Sequence, residues 1–557
     1  MVAKDRLLVV MVVASGACGA LSSPAHADTM RDFAWTEYLD KVQGGWLGQC
    51  IGVTLGTPWE FRVSYPDDVI TSYESGRFGK MPDGTPEQDD VLTEMAVLAG
   101  MRETGPNLNY DNLTEIWRKH VPVKAVYCAS RTAMEAIEEG IKGPDSGSPN
   151  YNTWWHSIDA QIQGELMGLL TPGMGNPSRT YASMMAHMDN YAEGADGGIF
   201  VSCCMSEAFF EKDVEKLVRK ALRSIHRDSA YARMVRDVLK WHRKCGDWHD
   251  ARNLLAKHYA DHGHVGAVLN GGAVILALLY GQGDFEKTIC IATMAGWDSD
   301  CNPATAGAIV GCMIGARAIP PKWSEPIHNT YHNYSVKAYA ERVKIDELAS
   351  ETALMGEKVV LAHGATVTGE GAARVLHLPA QKYEVPEVLE EVTGVRAEQS
   401  LDHCRRWRGS FTPQWILRDY DTWNPDWTFE GKQPPCMYLP KLLGYTNVMV
   451  AVRRPGELPI VFVPKGGAVN KSGMLKVHVA SSKVPNQNEF GDLLVRILVN
   501  GVVAKELVVK APEQEDIRDA TVECSVESGD AVRIEASHTG DTNAPTGIIF
   551  DKIDIRE

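Results

Sequence analysis

The stretch Ala295-Gly296-Trp297-Asp298-Ser299-Asp300-Cys301-Asn302-Pro303 runs on through Ala304-Thr305-Ala306-Gly307-Ala308-Ile309-Val310-Gly311-Cys312-Met313-Ile314-Gly315-Ala316. Asp298 and Asp300 stand two apart, so an extended backbone would project both carboxylates to one side, as chelation of a hard cation requires. The residues that follow read as a helix with Gly307, Gly311 and Gly315 on one stripe. That stripe allows very close approach of a second backbone, while the run is too short and too near charged residues for a membrane helix. The segment therefore predicts a central buried helix whose leading end carries two carboxylates.

A second acidic pair stands about 210 residues earlier, in Pro86-Glu87-Gln88-Asp89-Asp90-Val91-Leu92-Thr93-Glu94-Met95-Ala96, just before another apolar-periodic segment. One aspartate is accounted for as a helix cap. The adjoining one has no capping role, so it must be solvated, paired or metal-bound. Helical periodicity dominates 35–350, as in 213–222, where apolar positions recur every three or four residues. Gly/Pro/Asn clusters at 140–152 and 171–178 mark loops between helices.

The pattern changes after 350. Residues 351–435 mix β-like stretches, such as Lys358-Val359-Val360-Leu361, with charged turns and with Trp407, Trp415, Tyr420, Trp423 and Trp427. These aromatics read as an interdomain hydrophobic seam, with sugar stacking as the alternative. From 436 to 557, alternating β-branched segments take over, including Leu494-Val495-Arg496-Ile497-Leu498-Val499 before an Asn500-Gly501 hairpin turn. A β-sandwich of the carbohydrate-binding jelly-roll type is expected there. The fold class is thus multidomain, an all-α domain over 28–350 and a β-sandwich joined by a mixed linker.

Residues 1–27 carry Lys4 and Arg6, an apolar run over 7–17 and the triplet Ala25-His26-Ala27, the pattern of a secretory signal peptide. The run is too short for a membrane span. Secreted or periplasmic localisation follows as an expectation. With 557 residues, 44% apolar and 23% charged, the chain is ordinary globular material. A net charge of −16 speaks against nucleic acid or an anionic membrane as partner, and for a small-molecule or glycan substrate. Of the 12 cysteines, none stands in a C-x-x-C spacing, and most read as core filler.

The motifs together resemble the ADP-ribosylglycohydrolase family. That family carries a glycine-rich G-D-x-x-G segment ending in a glutamate, then T-D-D-T, then G-G-D-T-D-T before an alanine/glycine-rich helix. The corresponding residues here are Gly52-Val53-Thr54-Leu55-Gly56-Thr57-Pro58-Trp59-Glu60, Gln88-Asp89-Asp90-Val91 and Gly296-Trp297-Asp298-Ser299-Asp300-Cys301. The resemblance spans 35–323 and implies one or two Mg²⁺ or Mn²⁺ ions at Asp89, Asp90, Asp298 and Asp300. Glu60 would be the acidic residue nearest the scissile bond, as general acid or base or as stabiliser of an oxocarbenium-like centre. Gln88 and Cys301 replace ligating threonines and Val53 replaces an aspartate. Gln88 still offers an amide oxygen, whereas a Cys301 thiol suits a hard cation poorly.

Asp89 and Asp300 join Glu60 as candidate catalytic residues. Trp297, Trp155 and His156 are candidate substrate contacts, with Trp154, His262, His264 and Asn270 as further cleft residues. Neither a Gly-x-Ser-x-Gly nor a Cys/His arrangement offers a competing nucleophile. The leading expectation is a metal-dependent glycosidase acting on a ribosyl or other furanosyl bond, in a glycan or nucleoside-like substrate. The alternative is a non-catalytic exported carbohydrate-binding protein on the same scaffold.

Overall fold

The computed structural model describes residues 30–60, 68–75, 81–152, 154–379, 381, 383–384, 386–390, 427–429, 436–439, 448–453, 459–482, 491–511, 517–539 and 546–556. Residues 1–27, read above as a signal peptide, and Trp407, Trp415, Tyr420 and Trp423 lie outside these residues. Among the described residues, fifteen α-helices, all within 35–362, build the first domain around one large hydrophobic core. Among the described residues no helix is long and apolar enough to cross a membrane.

Local chemistry starts many of these helices. The Asp213 side chain accepts from the Lys216 backbone N–H, Ser229 does the same for Ala232, and Asn109 with Asn112 forms a reciprocal capping pair. At the centre, helices Trp35–Gly56 and Cys301–Ile314 run antiparallel with their backbones in contact. A Cβ at Gly44 would strike the Gly311 carbonyl, at Gly48 the Gly307 carbonyl, at Gly52 the Pro303 carbonyl and at Gly56 the Ser299 carbonyl. Gly307 and Gly311 of the stripe read in the second helix therefore meet a stripe of glycines at the same four-residue spacing on the first. Gly315, expected on that stripe, instead caps the helix at φ +83° against Asp40.

The domain is not purely helical. Strand Met30–Ala34 pairs antiparallel with Val375–Pro379, which also pairs with Thr366–Thr368. Val359 and Val360, read as β-like, are buried on the helix Ile345–Ala362. Their β-branched character misled because burial in the helical core outweighs local propensity there.

The described residues of the C-terminal region form two five-stranded antiparallel sheets. One orders its strands Ile517–Val526, Gly473–Ser482, Thr546–Arg556, Val448–Arg453 and Cys436–Leu439. The other orders Val502–Val509, Asp492–Val499, Val532–Thr539, Ile460–Pro464 and Trp427–Phe429. Alternate residues of both, such as Leu475, Val477 and Val479 against Leu493, Val495 and Ile497, share one core, as a sandwich requires. Asn500 and Gly501, at φ 50° and 79°, make the expected hairpin turn. Trp427, counted in the linker seam, is a core residue of this sandwich.

Candidate metal centre

The glycine contact decides where the acidic residues meet. Because the two central helices run antiparallel, the end of Trp35–Gly56 lies beside the start of Cys301–Ile314. A 3₁₀ turn, Thr57–Trp59, then delivers Glu60 to Asp298 and Asp300. Single ligand atoms of Glu60, Asp298 and Asp300 lie within 4.8 Å of one another, as do those of Asp90, Asp300 and Cys301. Asp300 belongs to both groups.

Helix Asp89–Thr104 brings the other pair. Gln88, rather than an aspartate, is its N-cap residue, and Asp89 and Asp90 sit in the first turn. Two helix N-termini thus converge on the cluster, and their partial positive charge favours carboxylates there. The expected extended segment at 296–300 is instead a tight turn, with Gly296 at φ 88° and Trp297 at φ 61°. Such a backbone is costly for tryptophan and persists only where its surroundings impose it. Asn270 supplies part of that constraint: its Oδ1 accepts from the Asp298 backbone N–H at 3.2 Å and from Asn302 Nδ2 at 2.9 Å. Its own Nδ2 donates to the His264 and Gly266 carbonyls.

Asp90, Asp298 and Asp300 are buried, and Oδ1 of each lacks a hydrogen-bond partner among the described residues. Burial, then the Asp159 and Asp300 carboxylates, push Asp89 up to about 7. Asp90 is raised well above the usual carboxylate range by burial and by Asp89, Asp300 and Glu165. Burial followed by Asp300 and Glu60 raises Asp298 in the same way, and burial raises Asp300. Orphaned, mutually repelling oxygens of this kind need protons or cations, and an oxygen donor set suits Mg²⁺ or Mn²⁺. The residues present fit such an ion.

The two departures have definite places. Gln88 Nε2 donates to Thr57 Oγ1 at 3.1 Å, which ties the two acidic segments together and leaves the amide oxygen as its ligand atom. The Cys301 thiol points to Asp90 Oδ2 at 3.5 Å and packs with Ile158 and Ile162. Burial, then Asp298 and Asp300, hold that thiol well above its ordinary pKa, so it stays protonated and donates to the carboxylate.

Trp297 is buried, with the Arg252 guanidinium 4.1 Å from its ring centroid, so one face is occupied by protein. Trp155 and His156 sit edge to face at 5.2 Å. Their carbonyls accept from Asn190, Tyr191 and Ala267. Trp154 is buried on the same loop, and His262 and His264 are partly buried before the Ala267–Gly281 helix.

That loop leads into Asp159, which the sequence reading missed. Asp159 accepts from the Ser130 N–H at 3.0 Å and from Ser157 Oγ at 2.5 Å, and its charge acts on Asp89. Glu94 and Glu165 were missed as well. Glu94 takes hydrogen bonds from Leu166 N–H and Gln49 Nε2, while burial pushes Glu165 up to about 7. Glu94 carried a signal, being four residues after Asp90 on one helix face. Glu165, within an apolar run, and Asp159 carried none.

The family model for ADP-ribosylglycohydrolase matches residues 34–359. The chain belongs to the ADP-ribosylglycohydrolase family. The family is hydrolytic and typically metal-dependent, and the acidic centre just described offers candidate metal-binding groups. No curated protein matches the chain. Among solved structures, an ADP-ribosylglycohydrolase-related protein complex is 17% identical, covering 58% of this chain and 99% of that chain at a TM-score of 0.41. A family 35 carbohydrate binding module from Clostridium thermocellum is 14% identical, covering 23% and 89% at a TM-score of 0.14. At these scores neither likeness adds to the fold already described.

Proposed function

We propose that this ADP-ribosylglycohydrolase-family protein is a metal-dependent glycoside hydrolase, cleaving an N- or O-glycosidic bond of a ribosyl or other furanosyl sugar. The observation that carries this reading is the meeting of Glu60 with Asp298 and Asp300, and of Asp300 with Asp90. A bound Mg²⁺ or Mn²⁺ would supply the positive charge that neutralises these carboxylates and orients sugar hydroxyls.

The chain's own groups do the rest. Asp89, Asp90, Asp298 and Asp300 would hold the ion, with the Gln88 amide oxygen in reach of the same helix start. Asn270 keeps the Asp298 turn in register. Glu60 holds or moves a proton at the glycosidic bond, a step that contributes typically 10²–10⁴-fold. The leader motif at 1–27 supports an extracytoplasmic glycan or nucleoside-like substrate, and the β-sandwich is consistent with glycan.

A second reading is a non-catalytic carbohydrate-binding protein. It is favoured by the Cys301 thiol standing against Asp90 where the family places a ligating threonine. A panel of 4-nitrophenyl furanosides assayed with Mn²⁺ and with chelator separates the two. Metal-dependent release of 4-nitrophenol, lost in Glu60→Gln, supports the hydrolase; binding without release across the panel supports the alternative.

A further inference from the structure

A cleft of about 450 Å³ is lined in part by the segments that lead into the acidic centre, with Thr57, Pro58 and Pro86 on that side and Met81, His332 and Tyr334 among the rest. Its lining is continuous along the chain with the centre. Thr57 and Pro58 directly precede Trp59-Glu60, Pro86 precedes Glu87-Gln88, and the Gln88–Thr57 hydrogen bond joins the two sides.

The far wall is built onto the same helix start. Glu87 accepts from the Tyr334 N–H at 2.5 Å, the Ser335 N–H at 2.8 Å and Ser335 Oγ at 2.6 Å. His332 N–H donates to the Thr85 carbonyl at 2.9 Å. The His332 and Tyr334 rings lie within 11° of parallel, and Tyr334 is 73% exposed. Such an exposed aromatic lining a cleft, together with Met81, which lines it too and is 52% exposed, leaves apolar surface that water solvates poorly.

The polar groups of the lining are largely engaged within the protein. Thr54 Oγ1 donates to the Cys50 carbonyl, Thr57 Oγ1 to Val53, Tyr73 Oη to Trp323 and His332 Nε2 to the Asp83 carbonyl. Few hydrogen bonds remain for the hydroxyls of a sugar. The lining holds no Lys or Arg, and Asp83 makes its rim acidic, so a phosphate or pyrophosphate finds no counter-charge. Three prolines, a methionine and three aromatic rings suit a flat, neutral, apolar-faced ring.

We infer that this cleft receives the leaving group of the scissile glycoside, and that this group is a neutral aromatic ring such as a nucleobase or a phenol. The inference rests on the hydrolase reading for the word leaving group, but the cleft's ligand chemistry stands on its own lining.

The test is calorimetric binding of three probes to the Mn²⁺-loaded full chain and to Tyr334→Ala: 4-nitrophenyl β-D-ribofuranoside, methyl β-D-ribofuranoside and 4-nitrobenzyl alcohol. Tyr334 is on the surface, so its removal leaves the core intact, and Met81→Ser provides an independent variant. We expect the aryl riboside to bind about tenfold more tightly than the methyl riboside, and that advantage to vanish in either variant. Binding of 4-nitrobenzyl alcohol that is lost in Tyr334→Ala, with no glycoside turned over, keeps the aromatic site while removing the hydrolase reading. Equal affinity for aryl and methyl ribosides, or an aryl preference unchanged in both variants, overturns the inference even if hydrolysis is observed, as does failure of every aryl probe to bind.

Discussion

The Gly48 α-carbon faces the Gly307 carbonyl oxygen so closely that no side chain fits between their helices, and the reciprocal contact of Gly307 with the Gly48 carbonyl is equally tight. The relation fixes the axial register of the two helices. Glu60 follows the end of one, and Asp298 and Asp300 precede the other, so register and site geometry are one structural fact.

Gly48→Ala should therefore destabilise the helical domain by about 2–3 kcal/mol, since both obstructing atoms are backbone and cannot swing aside. Urea unfolding followed by circular dichroism measures it. A change within about 0.5 kcal/mol, the range of ordinary surface substitutions, would mean the backbones can separate freely.

Much of this was legible in the residues. The glycine stripe announced a buried helix, Asn500-Gly501 a hairpin, and the alternation after 436 a sandwich, because each is a local pattern with a local cause. The partner stripe at Gly44, Gly48, Gly52 and Gly56 was not paired with Gly307 in advance, because helix partners are chosen by tertiary packing. Asp298 and Asp300 were expected on an extended segment, but Asn270, 28 residues from Asp298, imposes a turn that periodicity cannot reveal. Asp159 and Glu165 escaped notice because a lone carboxylate gains meaning only when the fold buries it beside others. Val359 and Val360 show the opposite error, β-branched residues held in a helix by the core.

The buried carboxylates set a pH dependence. Asp89 and Glu165, raised to about 7, bind protons more tightly folded than unfolded. Their contribution to stability is full below the ordinary carboxylate pKa near 4 and is lost as pH rises through about 7. In EDTA the melting temperature should fall between pH 5 and pH 8, and Mn²⁺ should restore more of it at pH 8 than at pH 5. Scanning calorimetry at several pH values decides this. A metal-free melting temperature that rises over that interval contradicts the electrostatic account.

Asn270→Ala removes the acceptor that holds the Asp298 N–H and Asn302. Groups that orient ligands without touching the metal typically cost 10–100-fold in affinity when removed. We expect Mn²⁺ affinity to drop by at least about tenfold while the circular dichroism spectrum stays helical. Unchanged affinity would assign Asn270 a purely structural role.

Glu60→Gln keeps the shape of the side chain and abolishes its charge. Turnover should fall by roughly 10²–10⁴-fold, the usual share of a general acid or base, while Mn²⁺ still binds through the aspartates. Retained turnover would move the proton-handling role to another carboxylate, Asp89 being the next candidate.

The most direct measurement is isothermal titration of Mn²⁺ into the metal-free protein and into Asp298→Asn. The acidic centre predicts saturable binding in the wild type and at least a tenfold loss in the variant, because Asp298 supplies one of the convergent oxygens. Identical isotherms for the two proteins, or no binding to either, would contradict a metal centre at the meeting of these helices.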